Sequence, residues 1–310
     1  MYKRILVPLD TSKLAEIALP YAGELARHLG SEIILIHVRT LADGPDKPEH
    51  RVYLSKMAAA TEQAMKKSPD LPRGEKVKVA SAIVGSPGLL THPAEQILDY
   101  AEKENINLIV MATHGRTGIR RWTLGSTANK VARAFKCPIL LIRANAAVPK
   151  RVHLDKILVP LDGSIPGEAV LPYIENLASK LKTKISLLYV VELLYHYYPY
   201  AEPVGYYGSA GVVKVPYNEE EMKPWKEVGE KYIKSVNDKL TAQGIKTSYE
   251  VRTGSAGEEI IKAEAEIHPD VVAMSTHGHS GFGRFDHGSV ADKVLHAGNT
   301  PLLLVRPQQS

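Results

Sequence analysis

The stretch KRILVPLDTSKLAEIALPYAGELARHLG, starting at Lys3, is written again from Asp155 as DKILVPLDGSIPGEAVLPYIENLASKLK. Asp10 and Asp162, Pro20 and Pro172, and Tyr21 and Tyr173 each lie 152 residues apart. Later landmarks (Gly115 and Gly278, Gly125 and Gly288, Pro138 and Pro301) lie 163 apart, so the second copy carries a net insertion of 11 residues. Self-similarity of this length constrains the fold more than any short motif, because one supersecondary unit must satisfy both copies. The 310 residues accommodate two such units, each with its own core. The expected bounds are 1–145 and 153–310, joined by a linker at 146–152 that contains Pro149.

Each copy alternates apolar runs with amphipathic stretches. In the first, Ile5–Leu9, Ile33–Val38, Val77–Val84, Leu108–Ala112 and Ile139–Ile142 read as strands. Their continuous apolar character predicts a parallel sheet covered on both faces. Lys13–Leu29, Glu49–Lys67, Pro93–Glu104 and Ser126–Phe135 carry helical spacing, with Ser12 as an N-cap and Gly30 as a stop. The expectation is α/β: two tandem open parallel five-stranded sheets, Rossmann-like, with right-handed crossovers and helices on both faces.

Composition enters by what it excludes. Cys137 is the only cysteine, so an intrachain disulfide is impossible, and its place before Pro138 suggests a buried, inert thiol. No apolar run is long enough to cross a bilayer, and the strand-like Ile5-Leu6-Val7 leaves no room for a signal peptide before it. A cytoplasmic protein with no membrane partner is expected. Residues 1–149 carry 21 Lys+Arg against 14 Asp+Glu, and the remainder 18 against 20. The basic first half comes with no nucleic-acid recognition motif or aromatic platform, so no nucleic-acid partner is expected.

Open parallel sheets bind ligands beyond the carboxyl ends of their strands. Two segments fall there in each copy. Asp10 and Asp162 follow strand 1, and THGRTGIRRWTLGST, from Thr113, and THGHSGFGRFDHGSV, from Thr276, follow strand 4. The second pair runs into helices beginning Gly125-Ser126 and Gly288-Ser289. Unpaired amides and the helix dipole suit such a start to phosphate. The plainer reading is an ordinary N-cap with turn glycines, and for the aspartates a capping role. Repetition at equivalent strand ends favours a ligand site.

These residues carry a family resemblance. ILVPLD, the block IVMATHGRTG…LGS and the closing CPILLIR and TPLLLVR, in this order and spacing, are similar to the universal stress protein family, twice over. The resemblance implies an adenine-nucleotide-hydrolase-like fold. It also implies an intrachain pseudo-dimer paired through the last strands, with a homodimer of chains left open. ATP-binding members share G-x₂-G-x₉-G-[S/T]; here the glycine places are Ala112, Gly115 and Gly125 before Ser126, and Ser275, Gly278 and Gly288 before Ser289. Both copies depart at the first glycine, to a small side chain that narrows the approach of nucleotide to backbone. By the resemblance, Pro8, Asp10 and Val38 flank the adenine and ribose in the first copy, as do Asp162 and Val190 in the second. Gly115, Arg116, Gly125, Ser126 and Thr127 hold phosphates in one copy, and Gly278, Gly288, Ser289 and Val290 in the other. The implied ligand is ATP, with or without Mg2+, in a stress-response regulatory protein. The alternatives are a nucleotide-free scaffold and a slow ATPase.

The two loops differ where phosphate charge is felt. Arg116 stands where the second copy has His279, Arg120 where it has Gly283, and Thr123 where it has Asp286. Arginine adds charge-assisted hydrogen bonds to phosphate and aspartate repels it, so the first copy is expected to bind ATP more tightly unless its arginines point to solvent. His277, His279, Asp286 and His287 also have the donor types of a divalent-metal site, with a spacing that matches no established finger. The stretch YHYYPYAEPVGYYGSAGVVKVPY at Tyr195–Tyr217 follows no repeat and reads as a lid, a partner surface or a packing excursion. There is no G-x₄-G-K-[S/T] loop, no synthetase-type histidine pair, and no serine–glycine–glycine loop after strand 1. Negligible or slow turnover is therefore expected, with no catalytic residue assigned.

Overall fold

A computed structural model describes residues 1–40, 48–66, 77–85, 92–114, 124–143, 152–201, 210–277 and 288–307. In the first half, β1 (Arg4–Pro8), α1 (Lys13–Glu16), α2 (Ala18–Leu29), β2 (Glu32–Val38), α3 (Pro48–Lys66) and β3 (Val79–Val84) follow in order. Then come α4 (Pro93–Lys103), β4 (Leu108–Ala112), α5 (Ser126–Ala134) and β5 (Ile139–Ile142). The second half begins with β6 (Lys156–Leu161), α6 (Ile165–Glu168), α7 (Leu171–Leu181) and β7 (Lys184–Glu192). A hairpin, β8 (Tyr195–Ala201) and β9 (Ala210–Pro216), precedes α8 (Glu219–Ala242) and β10 (Thr247–Gly254). The chain then runs through α9 (Ala256–Ile267), β11 (Val271–Ser275), α10 (Ser289–Ala297) and β12 (Leu302–Val305).

Side chains of successive strand residues leave opposite faces of a sheet. In β1, Ile5 and Val7 enter one core with α2 and α3, while Leu6 enters the other with α4 and α5. Both faces are apolar, which is why the strands read as continuous apolar runs. The strand order is β10-β7-β6-β11-β12-β5-β4-β1-β2-β3. The two five-stranded sheets expected from the sequence are thus one ten-stranded sheet. The seam is β5 against β12, antiparallel, with Leu141 opposite Leu302 and Ile139 opposite Leu304. Pairing two buried apolar edge strands satisfies backbone groups that would otherwise be stranded, and it realises the expected intrachain pairing of last strands.

Two arginines at equivalent positions lock the seam. Arg143, just past β5, donates from Nη2 to Val294 O at 2.8 Å, from Nη1 to Leu295 O, and from Nε to Thr300 O at 3.3 Å. Arg306, just past β12, donates to Arg133 O and lies over the Phe135 ring, 5.3 Å from its centroid. Each guanidinium therefore sits at the C-terminal end of a helix from the other half, where the helix dipole favours a cation. Burial pushes Arg143 down to about 10, against the pull of Glu264.

The first helix departs from expectation. Lys13–Leu29 is two helices, broken at Ile17. Pro20 cannot donate to Glu16 O, and its ring crowds that carbonyl, so the first turn closes separately. Ser12 caps α1, accepting from Ala15 N at 3.1 Å, and Gly30 ends α2 in the left-handed conformation at φ 67°. The tyrosine-rich segment forms the β8–β9 hairpin, tied to α8 where His196 Nε2 meets Glu221 Oε1 at 2.9 Å and the His196 ring stacks on Tyr217. Cys137 is half-buried, and burial pushes its thiol up to about 11, as expected of an inert cysteine. No helix among the described residues is long and apolar enough to cross a membrane.

Candidate functional site

Strand connections diverge between β1 and β4, and again between β6 and β11, and a cavity opens beyond the strand ends at each switch point. The first measures about 310 Å³ and the second about 490 Å³. Each of the seventeen described residues lining the first has its counterpart in the second, 152 or 163 positions on. Pro8 and Pro160, Asp10 and Asp162, Val38 and Val190, Ala112 and Ser275, Gly125 and Gly288, Ser126 and Ser289, and Thr127 and Val290 all occupy matching places. All of these except Pro160 are residues that the sequence places at the site. Gly115, Arg116, Gly278, His279, Asp286 and His287 lie outside the described residues, as do Arg120, Gly283 and Thr123.

Both aspartates are held by the turn that follows them. Asp10 Oδ1 accepts from Ser12 N at 3.0 Å and Ser12 Oγ at 2.6 Å; Asp162 Oδ1 accepts from Ser164 N at 3.0 Å and Ser164 Oγ at 2.7 Å. The intervening residue is left-handed in both, Thr11 at φ 69° and Gly163 at φ 79°. The serines are the helix caps, so the aspartates orient the caps rather than capping themselves. Gly167 stands where the first half has Ala15, and a Cβ there would overlap Asp162 Oδ1.

At the other wall, Gly125 N donates to Thr113 O at 2.8 Å and Gly288 N to Thr276 O at 2.7 Å, which closes each loop at its base. Neither Gly125 nor Gly288 offers a side-chain cap, so the first amides of α5 and α10 face the cavity with the helix dipole behind them. Such a terminus selects an anion. His114 and His277 also line the cavities, a pair that the sequence offered only as a metal candidate in the second copy. Each ring meets the preceding threonine, Thr113 Oγ1 to His114 Nδ1 at 3.1 Å and Thr276 Oγ1 to His277 Nδ1 at 2.9 Å. With the hydroxyl donating, the ring proton sits on Nε2. Among the described residues no three His, Cys, Asp or Glu side chains come together as a metal site.

The walls over β2 and β7 differ in shape. Tyr53 donates to Glu16 at 3.3 Å, and Tyr232 to Glu168 at 2.9 Å, which aligns α3 with α8 at an offset of 179. His50 packs on His37, with ring centroids 4.4 Å apart, and its counterpart Gly229 lies under Tyr189. Burial, then the Glu168 hydrogen bond, pushes the Tyr232 phenol upward; burial and Asp162 do the same to Tyr189. A Cβ on Gly229 would stand 2.5 Å from Tyr189 Cε1. Gly229→Ala is therefore expected to cost about 1–3 kcal/mol in urea unfolding. Combined with Tyr189→Ala, it is expected to cost less than the sum of the two changes; strict additivity would speak against the contact.

The universal stress protein family model matches residues 1–143 and again 153–306. The chain belongs to the universal stress protein family. A tandem relative, universal stress protein Slr1230 of Synechocystis, is 24% identical over 324 residues, covering 98% of this chain and 100% of that protein. A universal stress protein of Thermus aquaticus is 35% identical over 149 residues, 46% of this chain and 100% of that one. In fold, the chain resembles a universal stress protein of Pseudomonas aeruginosa (TM-score 0.68, 15% identity, 99% of this chain and 94% of that one). A universal stress protein of Archaeoglobus fulgidus has a TM-score of 0.63 at 17% identity, covering 99% of both chains.

Proposed function

We propose that the protein is a regulatory binder of adenine nucleotide with one site in each half and without rapid turnover. The observation that carries this reading is the duplicated cavity: the same positions, at two switch points, join an uncapped helix N-terminus to an oriented aspartate. In this reading the phosphates of ATP, alone or as a magnesium complex, lie against Gly125 and Ser126, or Gly288 and Ser289. His114 and His277 add donors on the phosphate side. The base lies towards Val38 or Val190, and Asp10 or Asp162 receives the ribose hydroxyls. The side chains of Ala112 and Ser275 sit below the ligand, and their small size leaves the backbone approachable. The arginines of the first loop make that site the tighter one for ATP.

Denaturing the purified protein and separating the supernatant by anion exchange is expected to release adenine nucleotide, or else calorimetry with added ATP is expected to find two unequal sites. Absence of both would leave a scaffold of the same fold, the reading that Ala112 and Ser275 favour. Turnover is expected far below the roughly 10 per second of an ordinary enzyme. Multiple-turnover hydrolysis at that rate would assign the protein to the ATPases.

A further inference from the structure

Among the described residues, the second cavity has every wall of the first and more. Its additional lining is Leu188, Val191, Leu194, Trp225 and Val228, all apolar, supplied by the end of β7, the segment after it and α8. Trp225 and Val228 are 53% and 63% exposed, unusual for side chains that also line a pocket. The α3–α8 offset of 179 puts Glu49 opposite Val228. At that position one half thus carries a carboxylate where the other carries an isopropyl group.

The position of this ledge fixes what it can meet. Cavity contents run from α10, beside β11, across Asp162 at β6 to Val190 on β7. The ledge lies beyond β7, at the end away from the phosphate-binding helix terminus. We infer that the second site takes an adenine nucleotide whose base bears a neutral apolar or aromatic substituent, with Trp225 stacking on that group. This rests on the nucleotide reading above and adds a ligand class to it. Glu192 at the same rim, where the first half has Thr40, disfavours an anionic extension on this side. Stacking on an exposed tryptophan is sequence-tolerant and strong enough to discriminate between ligands.

The chain has two tryptophans, Trp122 and Trp225, so Trp122→Phe makes Trp225 the sole indole reporter. N6-benzyl-ATP is expected to quench Trp225 fluorescence with a half-saturation about tenfold below that of ATP. In calorimetry on the full chain, Trp225→Ala is expected to abolish this preference while ATP affinity changes less than about threefold. Equal affinities for the two nucleotides, or a preference that survives Trp225→Ala, overturns the assignment and leaves the nucleotide reading standing. A change in sedimentation caused by Trp225→Ala overturns it too, since the ledge is then covered by a second copy. If neither nucleotide binds at either site, the parent reading falls and takes the ledge with it.

Discussion

Arg143→Ala is expected to destabilise the protein by roughly 3 kcal/mol, read as a fall in the urea midpoint, whereas Arg306→Ala costs about 1 kcal/mol. The two residues are equivalent by the repeat, and each caps a helix of the opposite half. They differ in what they leave behind. Glu264 is buried, its Oε1 accepts from the amides of Asn299 and Thr300, and its Oε2 has no hydrogen-bond partner among the described residues. Arg143 supplies the nearby positive charge. Removing it strands a carboxylate in a low-dielectric setting, which costs more than the hydrogen bonds themselves. Among the described residues, removing Arg306 forfeits one hydrogen bond and a cation–π contact on Phe135 and orphans no charge. Adding Glu264→Gln to Arg143→Ala is expected to restore about half of the loss, since the amide still accepts from the backbone. Equal costs for the two arginines would sink this account of the seam.

Gly125→Val is expected to weaken ATP binding at the first site about 30-fold, equivalent to about 2 kcal/mol, and Gly288→Val to do the same at the second. The cause is space rather than backbone strain, because Gly125 has φ −59° and ψ 145°, open to any residue. A Cβ there stands 3.0 Å from Thr113 O and 3.5 Å from His114 Cα, and the γ-carbons of valine need more room than that contact leaves. The helix start must then move away from Thr113, breaking the 2.8 Å bond that closes the loop and swinging the first amides off the phosphate. Gly125→Ala is expected to lose only severalfold, as one methyl at that distance asks for a small adjustment. Calorimetry on the single variants is expected to count one site each, and on the double variant none. Wild-type binding by the double variant would remove the helix termini from the site.

Much of this site was legible in the sequence because its positions are strand ends and helix starts, which periodicity locates within a residue or two. Asp10, Val38, Ala112 and Ser126 are each fixed by where an apolar run stops or an amphipathic one begins. His114 was adjacent to the same loop but carried no spacing signal, and its role emerges only from the cavity that it lines. The Trp225 ledge was illegible for a different reason. The insertion that carries the hairpin changes the repeat offset from 152 to 179 across α8 before it settles at 163, so no flanking block tells which residue of the first half Trp225 replaces. The break at Ile17 follows from Pro20, whose effect on a helix depends on whether it falls in a first turn or an interior. The merging of two sheets into one depends on what covers the outer face of β5, and β12 lies over 160 residues away.

The seam between β5 and β12 makes the two halves a permanent couple. Identical subunits that associate freely must share every change, so a substitution that suits one binding cleft is imposed on both. Tethering lifts that constraint. Glu264 with Gly298 could arise on one side and Ala101 with Phe135 on the other, and one cleft could acquire the indole of Trp225 along its wall. The joined edge is what allows a symmetric fold to carry two clefts of different lining in fixed proportion.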